Sequence, residues 1–263
     1  MTSKRALAGV SILFVLATLA ACGGGGGGGG GGVTVTPPPS NVPRFAYVAN
    51  GSDNTVSIYT VNAATGQLRH NGYVATEASP HSVSVDPSGK FAYVANWGSN
   101  TVSAYTINAS TGALTSVGAA VPAGTWPYAV TVDPTGKFAY VANEASFNVS
   151  AYTINASTGA LTSIGAPVPA GNDPRSVTVD PSGRFAYVAN ASSNTVSAYT
   201  INASTGALTS VGAGVATGTN PVSVAVDPSG RFVYAANSGS FNVSAYTINT
   251  STGALTSIGG VTA

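Results

Sequence analysis

Phe45-Ala46-Tyr47-Val48-Ala49-Asn50 returns as Phe91 to Asn96, Phe138 to Asn143 and Phe185 to Asn190, and in altered form as Phe232-Val233-Tyr234-Ala235-Ala236-Asn237. The spacings are 46, 47, 47 and 47 residues. A fixed period of this size marks one supersecondary unit stacked several times, each copy unable to bury its apolar surfaces alone. The unit reads outward from this stretch. Upstream of Phe185, Ser176-Val177-Thr178-Val179 alternates polar and apolar residues as a half-buried strand does. Asp180-Pro181-Ser182-Gly183 then carries Asp, Pro and Gly at the positions a type I turn selects. Downstream come the polar loop Asn190 to Asn194, a β-branched and aromatic strand from Thr195 to Ile201, the turn Asn202-Ala203-Ser204-Thr205-Gly206, and a weaker strand from Ala207 to about Val215.

No segment has a convincing helical period. Four antiparallel strands in about 45 residues, with the Phe-Ala-Tyr-Val-Ala-Asn strand apolar on both faces, is the arithmetic of a β-propeller blade. A β-solenoid, the main rival, has shorter rungs without tight hairpins. The expected fold is therefore all-β, a propeller of four-stranded antiparallel blades, five in number with the first incomplete because it begins at its second strand, Phe45. Val33 to Thr36 could supply the missing strand. A closed five-bladed ring is expected over an open arc, since an arc exposes strand edges.

Composition agrees with a packed β protein. Only 6% of residues are charged, yet 12 Tyr and 8 Phe stand mostly at fixed places in the repeat. The formal charge is +1; without Lys4 and Arg5 there remain seven basic and eight acidic residues. No basic face is available to displace counterions, which argues against a nucleic-acid partner.

Three segments are expected: 1–21 as a leader, 22–43 as a tether and 44–263 as the repeat domain. Lys4 and Arg5, the apolar run from Ala6, and Leu19-Ala20-Ala21 before the only cysteine, Cys22, have the layout of a secretory signal. The apolar stretch, about 16 residues, is shorter than the roughly 20 a membrane-spanning helix needs. Leu19-Ala20-Ala21-Cys22 resembles the lipobox of bacterial lipoproteins. That resemblance implies acylation of Cys22, which would become the new N-terminus and the site of membrane attachment. Gly23 in place of Asp after the cysteine implies, in the same proteins, sorting to the outer membrane. Gly23 to Gly32 and the Thr- and Pro-containing stretch to Pro43 give a flexible tether reaching on the order of 25 Å.

Tyr-Val-Ala-Asn before Thr-Val-Ser-Ala-Tyr-Thr-Ile, then Thr-Gly-Ala-Leu-Thr, then Ser-Val-x-Val-Asp-Pro-Ser-Gly-Lys/Arg, resembles the YVTN repeat of the lactonase-fold β-propellers. This group includes 6-phosphogluconolactonase-like and carboxymuconate-cyclase-like proteins, and the resemblance covers residues 44–263. It implies a propeller, usually of seven blades, and admits lactone hydrolysis.

Comparison of the repeats with one another locates the site. The Asp-Pro-Ser/Thr-Gly and Asn-x-Ser-Thr-Gly turns are nearly invariant and share one end of the blades, the bottom. The differences collect in the loops at the other end. His81, Tyr128, Arg175 and Val222 follow the loop proline at equivalent places; Glu77, Trp126, Asp173 and Asn220 stand before it; Asp53, Trp97 and Glu144 lie in the second top loop. Symmetric copies that diverge on one face are what a ligand surface looks like on a rigid scaffold, and also what tolerated drift looks like. The candidates for ligand binding are His81, Tyr128, Arg175, Trp97, Trp126, Glu144 and Asp173. The ligand would be a small molecule or a protein.

Two functions follow: a tethered propeller that binds a partner through its top loops or acts as an envelope scaffold, or a hydrolase of sugar or carboxylic-acid lactones. For the second, His81, Arg175 and Glu144 offer an acid, an oxyanion clamp and a base. No metal site is expected, because no His, Cys, Asp or Glu cluster has ligand spacing. No cofactor is expected either: the glycine run lacks the Lys-Ser/Thr of a phosphate loop. No Ser stands in a Gly-x-Ser-x-Gly setting.

Overall fold

The computed structural model describes residues 44–262, which contain strands and turns and no helix. Among them no helix is long and apolar enough to cross a membrane. The leader, the tether and Val33 to Thr36 lie outside the described residues.

The strands form five antiparallel sheets. Blade I holds Arg44–Asn50, Thr55–Val61 and Leu68–Ala75. Blade II runs Pro80–Val85, Phe91–Asn96, Thr101–Ile107 and Leu114–Ser116 in that spatial order, and blades III and IV repeat it from Pro127 and Pro174. Blade V runs from Pro221 to Thr262. The first strands of blades II to V pack side by side around the axis. These are the four-stranded blades expected of a propeller, with the first blade short of its inner strand among the described residues.

In blades II to IV the weaker fourth strand is split. In blade IV, Leu208–Ser210 and Val215–Ala216 pair separately with Thr195–Ile201. Between them Val211 N donates to Ala198 O, and Gly212 takes φ 67°. The positive φ turns the chain out of the ladder for one short excursion.

Each repeated polar residue closes a turn. Asp133 is almost fully buried, and its carboxylate accepts from the backbone N–H groups of Thr135, Lys137 and Phe138 at 3.1, 2.9 and 2.8 Å. The turn Asp is therefore a backbone acceptor, satisfied within its own hairpin. At the other end of the second strand Asn143 is buried, donating to Asn148 Oδ1 and Ser150 Oγ and accepting from Gly124 N. It ties three strand ends together.

The blades are joined by one device used four times. The Phe of each second strand sits against the Gly of the next blade's Thr-Gly turn: Phe45 on Gly112, Phe91 on Gly159, Phe138 on Gly206 and Phe185 on Gly253. These glycines have φ between 72° and 77°, and an added Cβ would stand 2.3 or 2.4 Å from the ring. Only glycine satisfies both conditions. The neighbouring tyrosine completes the joint: Tyr47, Tyr93, Tyr140 and Tyr187 donate to the carbonyl oxygens of the same four glycines at 2.9–3.0 Å. From the other side the third-strand tyrosines reach back: Tyr105, Tyr152, Tyr199 and Tyr246 donate to Ala75, Pro122, Pro169 and Ala216 oxygens of the preceding blade.

Among the described residues no such joint links blade V to blade I. Tyr93, Tyr140 and Tyr187 are 0% exposed, whereas Tyr234 is 41% exposed, and nothing lies within 4 Å of a Cβ built on Gly66. Among the described residues the expected five-bladed closure is thus not made, and their blades form an open arc. The two halves of the joint, the Phe232 and Tyr234 side of blade V and the Gly66 turn of blade I, are both present but do not meet.

The joint predicts a contrast between equivalent glycines. Gly159→Ala meets both the positive φ and the Phe91 ring, and should cost about 2–5 kcal/mol. Gly66→Ala has the same backbone but open space, and should cost only about 1–2 kcal/mol. Denaturant unfolding of the two variants checks the difference.

Candidate functional site

The top of each inner strand begins at a proline: Pro80, Pro127, Pro174 and Pro221. The residue before it has positive φ every time, with Ser79 at 50°, Trp126 at 57°, Asp173 at 62° and Asn220 at 56°. Ser79, not Glu77, is therefore the equivalent of Trp126; Glu77 and Asp53 are exposed. The left-handed turn is fixed by its carbonyl, which accepts from the residue after each second strand: Trp97 N on Ser79 O, Glu144 N on Trp126 O, Ala191 N on Asp173 O and Ser238 N on Asn220 O. This brings Trp97 beside His81, Glu144 beside Tyr128, and Ala191 beside Arg175. The strained turn recurs in blades II to V, so it belongs to the scaffold and not to a particular chemistry.

The seven candidates form one connected cluster across blades II, III and IV. His81 packs on Tyr128 with ring centroids 4.5 Å apart, and on Trp97 at 6.1 Å. Trp97 stacks on Trp126 at 4.6 Å. The Trp97 indole Nε1 donates to Glu144 Oε2 at 2.8 Å, and Arg175 donates to Glu144 Oε1 at 3.2 Å. The same guanidinium nitrogen reaches Asp173 Oδ2 at 3.3 Å, and Ser192 Oγ donates to that carboxylate oxygen at 2.7 Å. The Arg175 guanidinium stands over the Tyr128 ring, 5.7 Å from its centroid. Val222 adds no polar group to the row.

Electrostatics divides the roles. His81 has its pKa lowered from the ordinary 6.5, chiefly by burial, with Glu144 pulling it up and Arg175 pushing it down. A neutral imidazole is a proton acceptor, and no described residue hydrogen-bonds its nitrogens. Burial raises the Tyr128 pKa, so the phenol keeps its proton. Both oxygens of Glu144 are already engaged, by indole and guanidinium. Glu144 holds Arg175 and Trp97, while the imidazole of His81 has the nitrogen lone pair with which a base could act. Arg175 keeps a further donor: its Nε is buried with no acceptor among the described residues.

A set of residues outside the seven candidates supports the top loops. Asn54, Asn100 and Asn194 accept from the backbone N–H of Ser79, Trp126 and Asn220 at 2.7–2.8 Å, fixing each top loop to the preceding blade. In blade III the equivalent residue is Phe147, so Asp173 is held by Arg175 and Ser192 instead. The signal was present as Asn, Asn, Phe, Asn, Phe at one repeat position.

A recess of about 390 Å³ lies on the bottom, between turns of blades IV and V. Its polar groups are spent on the turns: Asp180 accepts from Ser182, Arg184 and Phe185, and Arg184 donates to Thr250 O. Among the described residues no group of three or more His, Cys, Asp or Glu side chains is placed to hold a metal ion.

The family model for "Lactonase, 7-bladed beta-propeller" matches residues 38–126, 82–177 and 170–262. Solved structures with the same fold include the putative 6-phosphogluconolactonases of Bacteroides uniformis and Bacteroides fragilis. They are 23% and 22% identical, with TM-scores of 0.75 and 0.74 over 83% of this chain and 68% and 67% of theirs. The periplasmic gluconolactonase of Pseudomonas aeruginosa is 23% identical, with a TM-score of 0.68 over 83% of this chain and 67% of its own. No curated protein matches the sequence. The matched family favours the hydrolytic reading over ligand capture or scaffolding.

The opposed influences of Glu144 and Arg175 on His81 give a test by NMR titration of the imidazole. Glu144→Gln removes the upward pull and should move the His81 midpoint further down. Arg175→Gln should move it up.

Proposed function

Since the chain belongs to the lactonase family of β-propellers, we propose that it hydrolyses a lactone at the top-face cluster. The observation that supports this most is the placing of a neutral imidazole and a guanidinium on either side of Tyr128. In the reaction, His81 takes a proton from water as the water oxygen bonds to the lactone carbonyl carbon. The carbonyl electrons move onto oxygen, where Arg175 stabilises the charge. Collapse breaks the bond from carbon to ring oxygen, and the His81 imidazolium returns the proton to that oxygen as it leaves as an alcohol. The product is a hydroxy acid. Trp126, stacked on Trp97 and itself exposed, offers ring surface to the apolar side of a sugar.

Two acidic side chains, Glu144 and Asp173, stand against one guanidinium. This balance favours a neutral lactone over a phosphorylated one. With glucono-1,5-lactone, the rate above the spontaneous one should fall by roughly 10²–10³ in His81→Ala and in Arg175→Ala. The acid limb of the pH profile should lie below pH 6.5, because the imidazole must be neutral and its pKa is lowered. The phosphorylated lactone should react more slowly. Absence of any enhancement by the wild-type chain on neutral lactones sinks the proposal.

We also propose that the enzyme works outside the cytoplasm, tethered to the cell envelope, at the outer membrane, by acyl chains on Cys22. Leu19-Ala20-Ala21-Cys22 and the glycine run support this reading. Labelled palmitate should enter the wild-type chain and not Cys22→Ser, and the variant should leave the membrane fraction.

A further inference from the structure

The faces at the two ends of the arc are the two halves of one joint. The forward face of blade II, buried against blade III, consists of Phe91, Tyr93, Ala95, Val102 and Ala104. Blade V presents Phe232, Tyr234, Ala236, Val243 and Ala245 at the same register, the same five residue types. No described residue covers them: Tyr234 and Val243 are exposed and Phe232 is only half-buried. The receiving face of blade II consists of Ala92, Val94, Tyr105, Gly112 and Leu114. Blade I presents Ala46, Val48, Tyr59, Gly66 and Leu68, again the same five types. Gly66 has the required φ of 72° and an empty space where the four other Thr-Gly glycines meet a phenylalanine ring. Beside it Leu68 is 46% and Tyr73 71% exposed.

We infer that these faces dock on each other between copies of this chain, head to tail, blade V of one copy on blade I of the next. The occupant is argued from continuity with the four internal joints. Phe232 of one copy would fill the space at Gly66 of another, and Tyr234 would donate to the Gly66 carbonyl. Tyr59 of the receiving copy would reach back as Tyr105 does within the chain. Two forward faces do not reproduce the joint, because each carries the phenylalanine and tyrosine and neither carries the Thr-Gly turn that receives them. The contact is therefore heterologous, and its association continues until the rotation closes a ring. An exposed apolar sheet face of this kind is otherwise an aggregation liability.

The test uses complementary variants of the whole chain, in detergent so that residues 1–43 do not associate on their own. Tyr234→Glu spoils the head, and Gly66→Asn spoils the recess while tolerating positive φ. Tyr234 is 41% exposed and a Cβ at Gly66 meets nothing within 4 Å, so both variants should fold, with at most a small fall in melting temperature. By light scattering, the wild-type mass should rise with concentration. Each variant alone should stay a single copy at every concentration. Their mixture should give a one-to-one dimer and nothing larger, because one intact head meets one intact recess, which also shows that both variants are folded. A wild type that remains a single copy overturns the inference and points to closure within the chain or to a different occupant. A mixture that stays monomeric overturns it as well.

Discussion

A phenylalanine ring resting on a glycine of the next blade is the contact on which this fold depends. A side chain on that glycine is excluded twice, by its positive φ and by the ring 2.3 Å from the would-be Cβ. The adjacent tyrosine uses the same glycine's carbonyl, so a buried hydroxyl and a turn acceptor satisfy each other. One contact thereby fixes spacing, angle and register between blades. The invariance of the bottom turns follows, since each contains either the glycine or the aspartate that shapes the hairpin before the phenylalanine. The top ends of the inner strands inherit fixed positions without contributing to the joint, which leaves them free to differ.

That division explains what the sequence made legible. Strands, turns and blade count follow from local chemistry: alternation, Asp-Pro-Ser-Gly, Asn-x-Ser-Thr-Gly. The site residues could be found as breaks in the symmetry, because a scaffold that repeats at 47 residues makes each departure visible. Their partnerships could not. Trp97 and Glu144 are joined by a hydrogen bond across 47 residues, and Arg175 and Glu144 across 31; these depend on how neighbouring blades lean together. The engagement of both Glu144 oxygens, by the Trp97 indole and the Arg175 guanidinium, was hidden for the same reason. Closure of the ring was also illegible. It depends on whether the Phe232 side of blade V meets the Gly66 turn of blade I, two segments whose local sequence is the same whether or not they touch.

The strain in the top loops shows how site and scaffold were reconciled. In blades II, III and V the residue before the inner-strand proline is held in the left-handed region partly by an asparagine of the preceding blade. Such a conformation costs on the order of 1–3 kcal/mol for a non-glycine residue and persists only when its surroundings over-determine it. Blade IV lacks the asparagine, because Phe147 occupies its place, yet Asp173 keeps φ 62°. What remains to hold it is the carbonyl bond from Ala191 and the side-chain bonds from Ser192 and Arg175. The guanidinium that would stabilise an oxyanion is thus also a structural tie of its own loop. Arg175 is therefore pinned from two directions, by Glu144 across the blade boundary and by Asp173 within its loop, and a group so pinned requires little reorganisation when charge develops beside it. The same two carboxylates offset the charge of the guanidinium they hold, so the contacts that fix Arg175 also set the charge balance of the cluster.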